Sequence, residues 1–272
     1  MTLIRHELKR AWKSTTIWTC AIGAFIVICL FMYPEMKSQT DSISSLFASM
    51  GAFSSAFGLD VLDYGSLKGF YGIECGSILG LGGAMFAALA GITALAGEEK
   101  EGTAEFLLTH PLSRTEIVTR KLIAILIQII VLNVVVWLMA VGSMAAVGEA
   151  IPWKEVCLLH LAFFLLQIEI ACICFGISAC LWRGGIGIGL GLAIGLYFMN
   201  IIANLTSEAE ALKYLTPFGY ADGSDVISRG AIHGTRLLVG MGFAVCGLAL
   251  AYIRYNKKDI REIQNNESAP ES

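Results

Sequence analysis

The sequence predicts an all-α polytopic membrane protein with six transmembrane helices. Three observations predict it. Apolar residues make up 56% of the chain and charged residues only 15%, where a soluble domain carries about 25% charged. The mean hydropathy is +0.69. The apolar residues also gather into six runs, at about 16–33, 70–96, 122–147, 156–181, 186–205 and 236–253, each near the roughly 20 residues that a helix needs to cross a bilayer. Residues 1–260 therefore read as one six-span domain, followed by a polar tail, 261–272, expected to be disordered.

Ahead of the first span, "LIRHELKRAW" places Ile4, Leu8 and Trp12 at helical spacing, with Arg5, Lys9, Arg10 and Lys13 off that stripe. This is the pattern of an interfacial helix lying on the cytoplasmic surface. The span itself follows basic residues, as a signal peptide would. It is too long for a signal core and ends "FMYPEMK" without a small-residue cleavage site, so it reads as a retained span. The next segment, about 35–69, contains "SSLFASMGAFSSAFGL", apolar enough for short helices at the bilayer edge.

Span two carries Gly76, Gly80, Ala84 and Ala88 at four-residue intervals, and span five carries Gly187, Gly191 and Gly195 likewise. Such stripes let helices approach closely. Gly187, Gly189 and Gly191 lie inside an apolar span and not between a strand and a helix, so they are no phosphate-binding fingerprint.

Between spans two and three lies the longest charged stretch, "EEKEGTAEFLLTHPLSRTEIVTRK", from Glu98 to Lys121. Gly102 breaks the extension of span two, Pro111 ends what precedes it, and Ser113 with Glu116 forms a capping box, so a new helix starts at about Arg114 and runs into span three. Between these marks "TAEFLLTH" makes one to two helical turns whose Phe106, Leu107 and Leu108 are too apolar for a solvated loop. They call for a cover: the protein's own surface or lipid, or a soluble partner with a groove for a short helix.

Span four, "CLLHLAFFLLQIEIACICFGISAC", holds Glu169 near its middle, with Gln167 beside it and His160 nearer the outside. A carboxylate in the membrane is costly and is a functional candidate by default. It lines a polar path or senses a proton or cation, or it is a hydrogen-bonded acid that joins helices, with Gln128 or Asn133 of span three as expected partners. Asn200 in span five is a polar packing candidate of the same kind.

Charge placement sets the orientation. The N-terminus, the 97–121 loop, the short "RGG" turn and the C-terminal tail hold 13 of the 19 basic residues, against Lys37, Lys68, Lys154, Lys213, Arg229 and Arg236 on the other side. Both termini are therefore expected in the cytoplasm. The net charge of −3 gives no basic excess for nucleic acid. The eight cysteines lie in or beside apolar runs, which argues against a secreted disulfide framework. Cys172 and Cys174, two apart on a helix, point to nearly opposite faces and make a poor metal pair.

The 98–121 stretch resembles the segment between the second and third spans of permeases of the type-2 ATP-binding-cassette exporter family. The shared pattern is Glu101-Gly102-Thr103, then Glu105, Leu107 and Leu108, then Pro111-Leu112-Ser113-Arg114. "YLTPFGYAD", Tyr214 to Asp222, and "YIRYNKKDI", Tyr252 to Ile260, are similar to stretches of the same family, in the same order. The resemblance spans the whole chain and the six-span count fits it.

The resemblance implies a single permease domain over 1–260, in which the 98–114 loop is a cytoplasmic coupling helix docking in a cleft of a separate ATPase subunit. Phe106, Leu107 and Leu108 would supply apolar contact, Glu98, Glu99, Glu101 and Glu105 would meet basic groups, and Arg114 would pair near the new helix start. Gly102, Thr103 and Pro111 complete the contact segment, and the N-terminal helix would lie near the ATPase. No Gly-x-x-x-x-Gly-Lys-Ser/Thr occurs in the sequence, so ATP and magnesium belong to the partner and this chain holds no cofactor. The implied assembly is two permease chains, identical or not, with two ATPases, in the plasma membrane of a bacterium or archaeon. The cargo is unspecified, with apolar spans leaning toward a hydrophobic or amphipathic one.

Two rival classes are weaker. A secondary transporter or channel would use Glu169 as its coupling carboxylate, but the chain lacks a convincing internal repeat with matched broken helices. A membrane metalloprotease of the Glu-Glu-x-x-x-Arg type would place its acids at Glu98 and Glu99, yet Thr103 stands where the arginine is required. His6, His110, His160 and His233 are scattered over different segments.

Overall fold

The computed structural model describes residues 2–59, 61–100, 113–181 and 185–257, with the side chains at 2, 48, 52, 75, 97–100 and 207 outside that description. No strand occurs among the described residues. Among the described residues, six helices are long and apolar enough to cross a membrane, over Leu3–Ser38, Leu67–Ala96, Arg114–Val147, Trp153–Ser178, Ile186–Leu205 and Gly234–Lys257. The six expected spans are all present, several of them longer than their apolar runs.

The first helix, α1, runs unbroken from Thr2 to Ser38. The amphipathic stretch expected as a surface helix is thus the beginning of the first span. At 1.5 Å per residue the 37 residues measure about 55 Å, well beyond the roughly 30 Å of hydrocarbon, so the first turns project past it. Leu3, Thr15, Thr19, Ile22, Ile26, Leu30 and Tyr33 form its buried face at helical spacing, while Trp12, Ile17, Phe25, Ile28 and Phe31 face outward. The Ile4, Leu8 and Trp12 stripe lies beside the packed face, not on it.

The 35–69 segment contains two short helices, α2 (Thr40–Ser49) and α3 (Ala52–Ala56), hinged at Gly51, whose φ of +51° is a conformation that glycine adopts without strain. Span two opens with α4 (Leu67–Phe70), capped by Ser66, whose hydroxyl accepts from the Gly69 N–H. It passes through a π-helical turn, Tyr71–Cys75, into α5 (Gly76–Lys100). Span three, α6 (Arg114–Val147), starts where the capping pattern places it: the Ser113 hydroxyl accepts from the Glu116 N–H at 3.2 Å. The Glu116 carboxylate turns to Arg120 one turn on.

Span four is α7 (Trp153–Ser178) and span five α8 (Ile186–Leu205). The segment between spans five and six, expected on the outer side, then runs through a 3₁₀ helix, Ser207–Tyr214, and the short helices α9 (Phe218–Ala221) and α10 (Gly223–Arg229), before span six, α11 (Gly234–Lys257).

Helix α7 is central, packed on α5 along one side and on α11 along the other, while α1 lies along α6 and α8 along α5. The small residues of span two make the first contact close. A Cβ added at Gly91 would lie 2.4 Å from the Ala171 carbonyl oxygen of α7, so the two backbones nearly touch. On the other side a Cβ at Gly247 would lie 2.5 Å from the Cys172 carbonyl oxygen. The span-five stripe does not serve this purpose. Among the described residues, nothing beyond the helix's own neighbouring backbone lies within 4 Å of a Cβ built at Gly187, Gly191 or Gly195, and it is Gly189 that meets α5, at Ile92.

Candidate functional site

Three polar sites stand out. Within the bundle, Asn133 of α6 donates to the Gln167 carbonyl oxygen of α7 at 2.6 Å. The amide of Gln167 lies over Gly83 of α5, where a Cβ would come 2.2 Å from its nitrogen. Gln167 is fully buried and Asn133 nearly so, so one amide pair ties spans two, three and four together.

Glu169 does not join that pair. Two residues along a helix is a turn of about 200°, so Gln167 and Glu169 face opposite ways. Glu169 is 1% exposed and accepts the Tyr220 hydroxyl of α9 at 2.9 Å. It packs on Gly240 of α11, where a Cβ would lie 2.2 Å from the carboxylate. The expected partners are therefore corrected: Asn133 bonds Gln167, Gln128 accepts from Thr15 of α1 at 3.3 Å, and the partner of Glu169 is Tyr220 of the segment between spans five and six. His160, seven residues before Gln167 and so on its face, is 2.6 Å from the Tyr71 hydroxyl.

The second site is the underside of the outer segment. Asp222 accepts from the side chains of Asn200 at 3.0 Å and Asn204 at 2.9 Å, both of α8, while its other oxygen caps α10 by accepting from Ser224 and Asp225. Burial alone would raise this carboxyl. The hydrogen bonds from Ser224, Asn204 and Asn200, with Lys213 nearby, outweigh it and hold the group below its ordinary value. Arg236, at the outer end of α11 and 3% exposed, donates to Asp225 at 2.9 Å, Glu210 at 2.9 Å and the Gly219 carbonyl at 3.0 Å. Tyr220 and Asp222 both lie in "YLTPFGYAD", whose spacing alone assigns neither of them a partner.

The third site is the end of the bundle at which span two ends and span three begins. Glu98 and Glu99 fall in the last turn of α5, with side chains outside the description. Glu101, Gly102, Thr103, Glu105, Phe106, Leu107, Leu108 and Pro111, and with them the expected coupling helix, lie outside the described residues. Arg114 begins α6 as expected, but its guanidinium donates to the Tyr255 and Asn256 carbonyls at 3.4 and 3.2 Å, at the end of α11. Lys121, one of the loop's cations, is buried on α1 in an ion pair with Glu7 at 2.9 Å.

Among the described residues no cluster of three or more His, Cys, Asp or Glu side chains has the geometry to hold a metal ion. The three polar sites instead join helices to one another and to the outer segment. Comparison with known proteins supplies what the geometry alone does not. Residues 1–260 match the family model described as ABC-2 family transporter protein. No curated protein matches the chain. With the match covering nearly its whole length, the chain belongs to the ABC-2 transporter family and is an integral membrane permease subunit of an ABC transporter, a class that works with an ABC ATPase subunit.

Proposed function

We propose that this chain forms the translocation pathway of an ATP-driven exporter and is powered through its 98–114 loop by a separate ATPase. The observation that carries this reading is the family match over residues 1–260, which includes the loop and both flanking spans. The loop's composition supports it: Phe106, Leu107 and Leu108 form an apolar patch among Glu98, Glu99, Glu101 and Glu105, suited to a groove with a basic rim. The chain itself hydrolyses nothing. ATP and magnesium sit on two ATPase subunits, and a second permease chain completes the pathway. Both termini and the loop face the cytoplasm, following the basic residues.

The test is to tag the chain in its native host, extract it in mild detergent and identify what stays bound by mass spectrometry. A P-loop ATPase that co-purifies with the wild type and is lost on Leu107→Asp with Leu108→Asp is the expected result. A wild-type chain that emerges without an ATPase contradicts the reading.

A further inference from the structure

The Arg114 contact is one part of a longer seam. Arg114 donates to the Tyr255 and Asn256 carbonyls near the end of α11, where the negative end of the helix dipole favours a cation. Beside it, Thr115 and Asn256 share hydrogen bonds at 3.3 and 3.4 Å. One turn further into the membrane the Thr119 and Tyr252 hydroxyls meet at 2.8 Å. Residues 252, 255 and 256 lie on one face of α11, so the start of span three and the end of span six are joined along a turn and a half.

The far end of α11 is held as firmly. Its 24 residues make a rod about 36 Å long. At the outer end Arg236 grips Asp225, Glu210 and the Gly219 carbonyl, all of the outer segment. One residue from Gly219, Tyr220 reaches Glu169. A continuous chain of polar contacts and one helix therefore runs from the first residue of α6 to the segment at the opposite end of the bundle.

We infer that Arg114, Thr119 and Tyr252 are positioning residues that carry displacement of the 98–114 loop into span six, and through Arg236 into the outer segment 207–229. The inference rests on the proposed coupling to an ATPase. The physical basis is that α6 and α11 are continuous helices clamped at the end nearest the loop. A shift of the first turn of α6 moves the end of α11 with it, and a stiff rod delivers that shift to whatever its other end holds.

The experiment needs no cargo. The complex of permease and ATPase is purified, and hydrogen–deuterium exchange of peptides covering 207–240 is followed with and without a non-hydrolysable ATP analogue. The wild type is expected to show a nucleotide-dependent difference there. Tyr252→Phe, which keeps the ring and removes the hydroxyl contact, is expected to lose most of that difference while the ATPase stays bound; Arg114→Ala, which lies at the edge of the proposed ATPase contact, is expected to lose it as well. Arg114→Lys, which keeps the charge, restores part of it. Because exchange within the α5–α7 contact is recorded on the same samples, general loosening of the fold is distinguished from loss of transmission. An undiminished difference in Tyr252→Phe with the ATPase bound overturns the inference, as does a wild-type complex in which nucleotide leaves 207–240 unchanged. Absence of any ATPase from the wild-type preparation is a separate failure, seen before exchange is measured, and it overturns the coupling reading itself.

Discussion

The Tyr220 hydroxyl donates to Glu169 across 2.9 Å, joining residues 51 apart in sequence and seating the outer segment against the middle helix of the bundle. A carboxylate that is 1% exposed depends on such a donor, since an unsatisfied buried acceptor costs about 1–3 kcal/mol. Tyr220→Phe is therefore expected to destabilise the protein by about that amount, while Glu169→Gln, whose amide oxygen still accepts the bond, costs less. Thermal unfolding in detergent of both variants and their combination checks this. A Tyr220→Phe protein as stable as the wild type would show that the bond contributes nothing.

The contact of spans two and four gives a second prediction. A methyl group at Gly83 would lie 2.2 Å from the Gln167 amide nitrogen, so Gly83→Ala displaces that side chain and breaks its bond to Asn133. Truncating Gln167 to Ala makes room, and the double variant should be more stable than the two single losses summed, with a coupling of about 0.5–3 kcal/mol. Gly91→Ala offers the contrast. Its added methyl would meet the Ala171 backbone at 2.4 Å, and no side-chain change relieves it.

Asp222 gives a pH dependence. Its folded carboxyl titrates below its ordinary value because Ser224, Asn204 and Asn200 donate to the ionised form, against the opposing effect of burial. A depressed folded value means that the stabilisation is present above the unfolded value of about 3.9 and is lost as pH falls through the folded value. Melting temperature in detergent should therefore fall on acidification through this window. Asp222→Asn should lower the plateau at neutral pH and flatten that fall; an Asp222→Asn protein with the wild-type acid profile would contradict the assignment.

Much of the fold was legible in the sequence because each span is a continuous apolar run and because Ser113 and Glu116 mark the start of α6 in four residues. The continuity of α1 was not, since the charges of "RHELKR" change which faces of a helix are wet without breaking it. The partner of Glu169 was hidden for a different reason. Its separation from Gln167 by two residues does say that they face opposite ways, but the choice of Tyr220 depends on how deeply the outer segment enters the bundle, and no local pattern encodes that depth. Likewise the Gly247 crossing with α7 lies on the buried stripe Gly240, Ala244, Gly247 and Ala251, at mixed four- and three-residue spacing, while the strict four-residue stripe of Gly187, Gly191 and Gly195 makes no close contact outside its own helix among the described residues. Spacing identifies a surface that permits close approach; it does not identify what approaches.

The central claim is that a separate ATPase reads the segment between spans two and three. The most direct test places a photo-crosslinking amino acid at Leu107 in living cells, with Leu238, an outward-facing residue of span six that is 75% exposed, as the control. The account predicts a covalent adduct between position 107 and a P-loop ATPase, and none from position 238. Position 107 reacting only with lipid, or not at all, would contradict it.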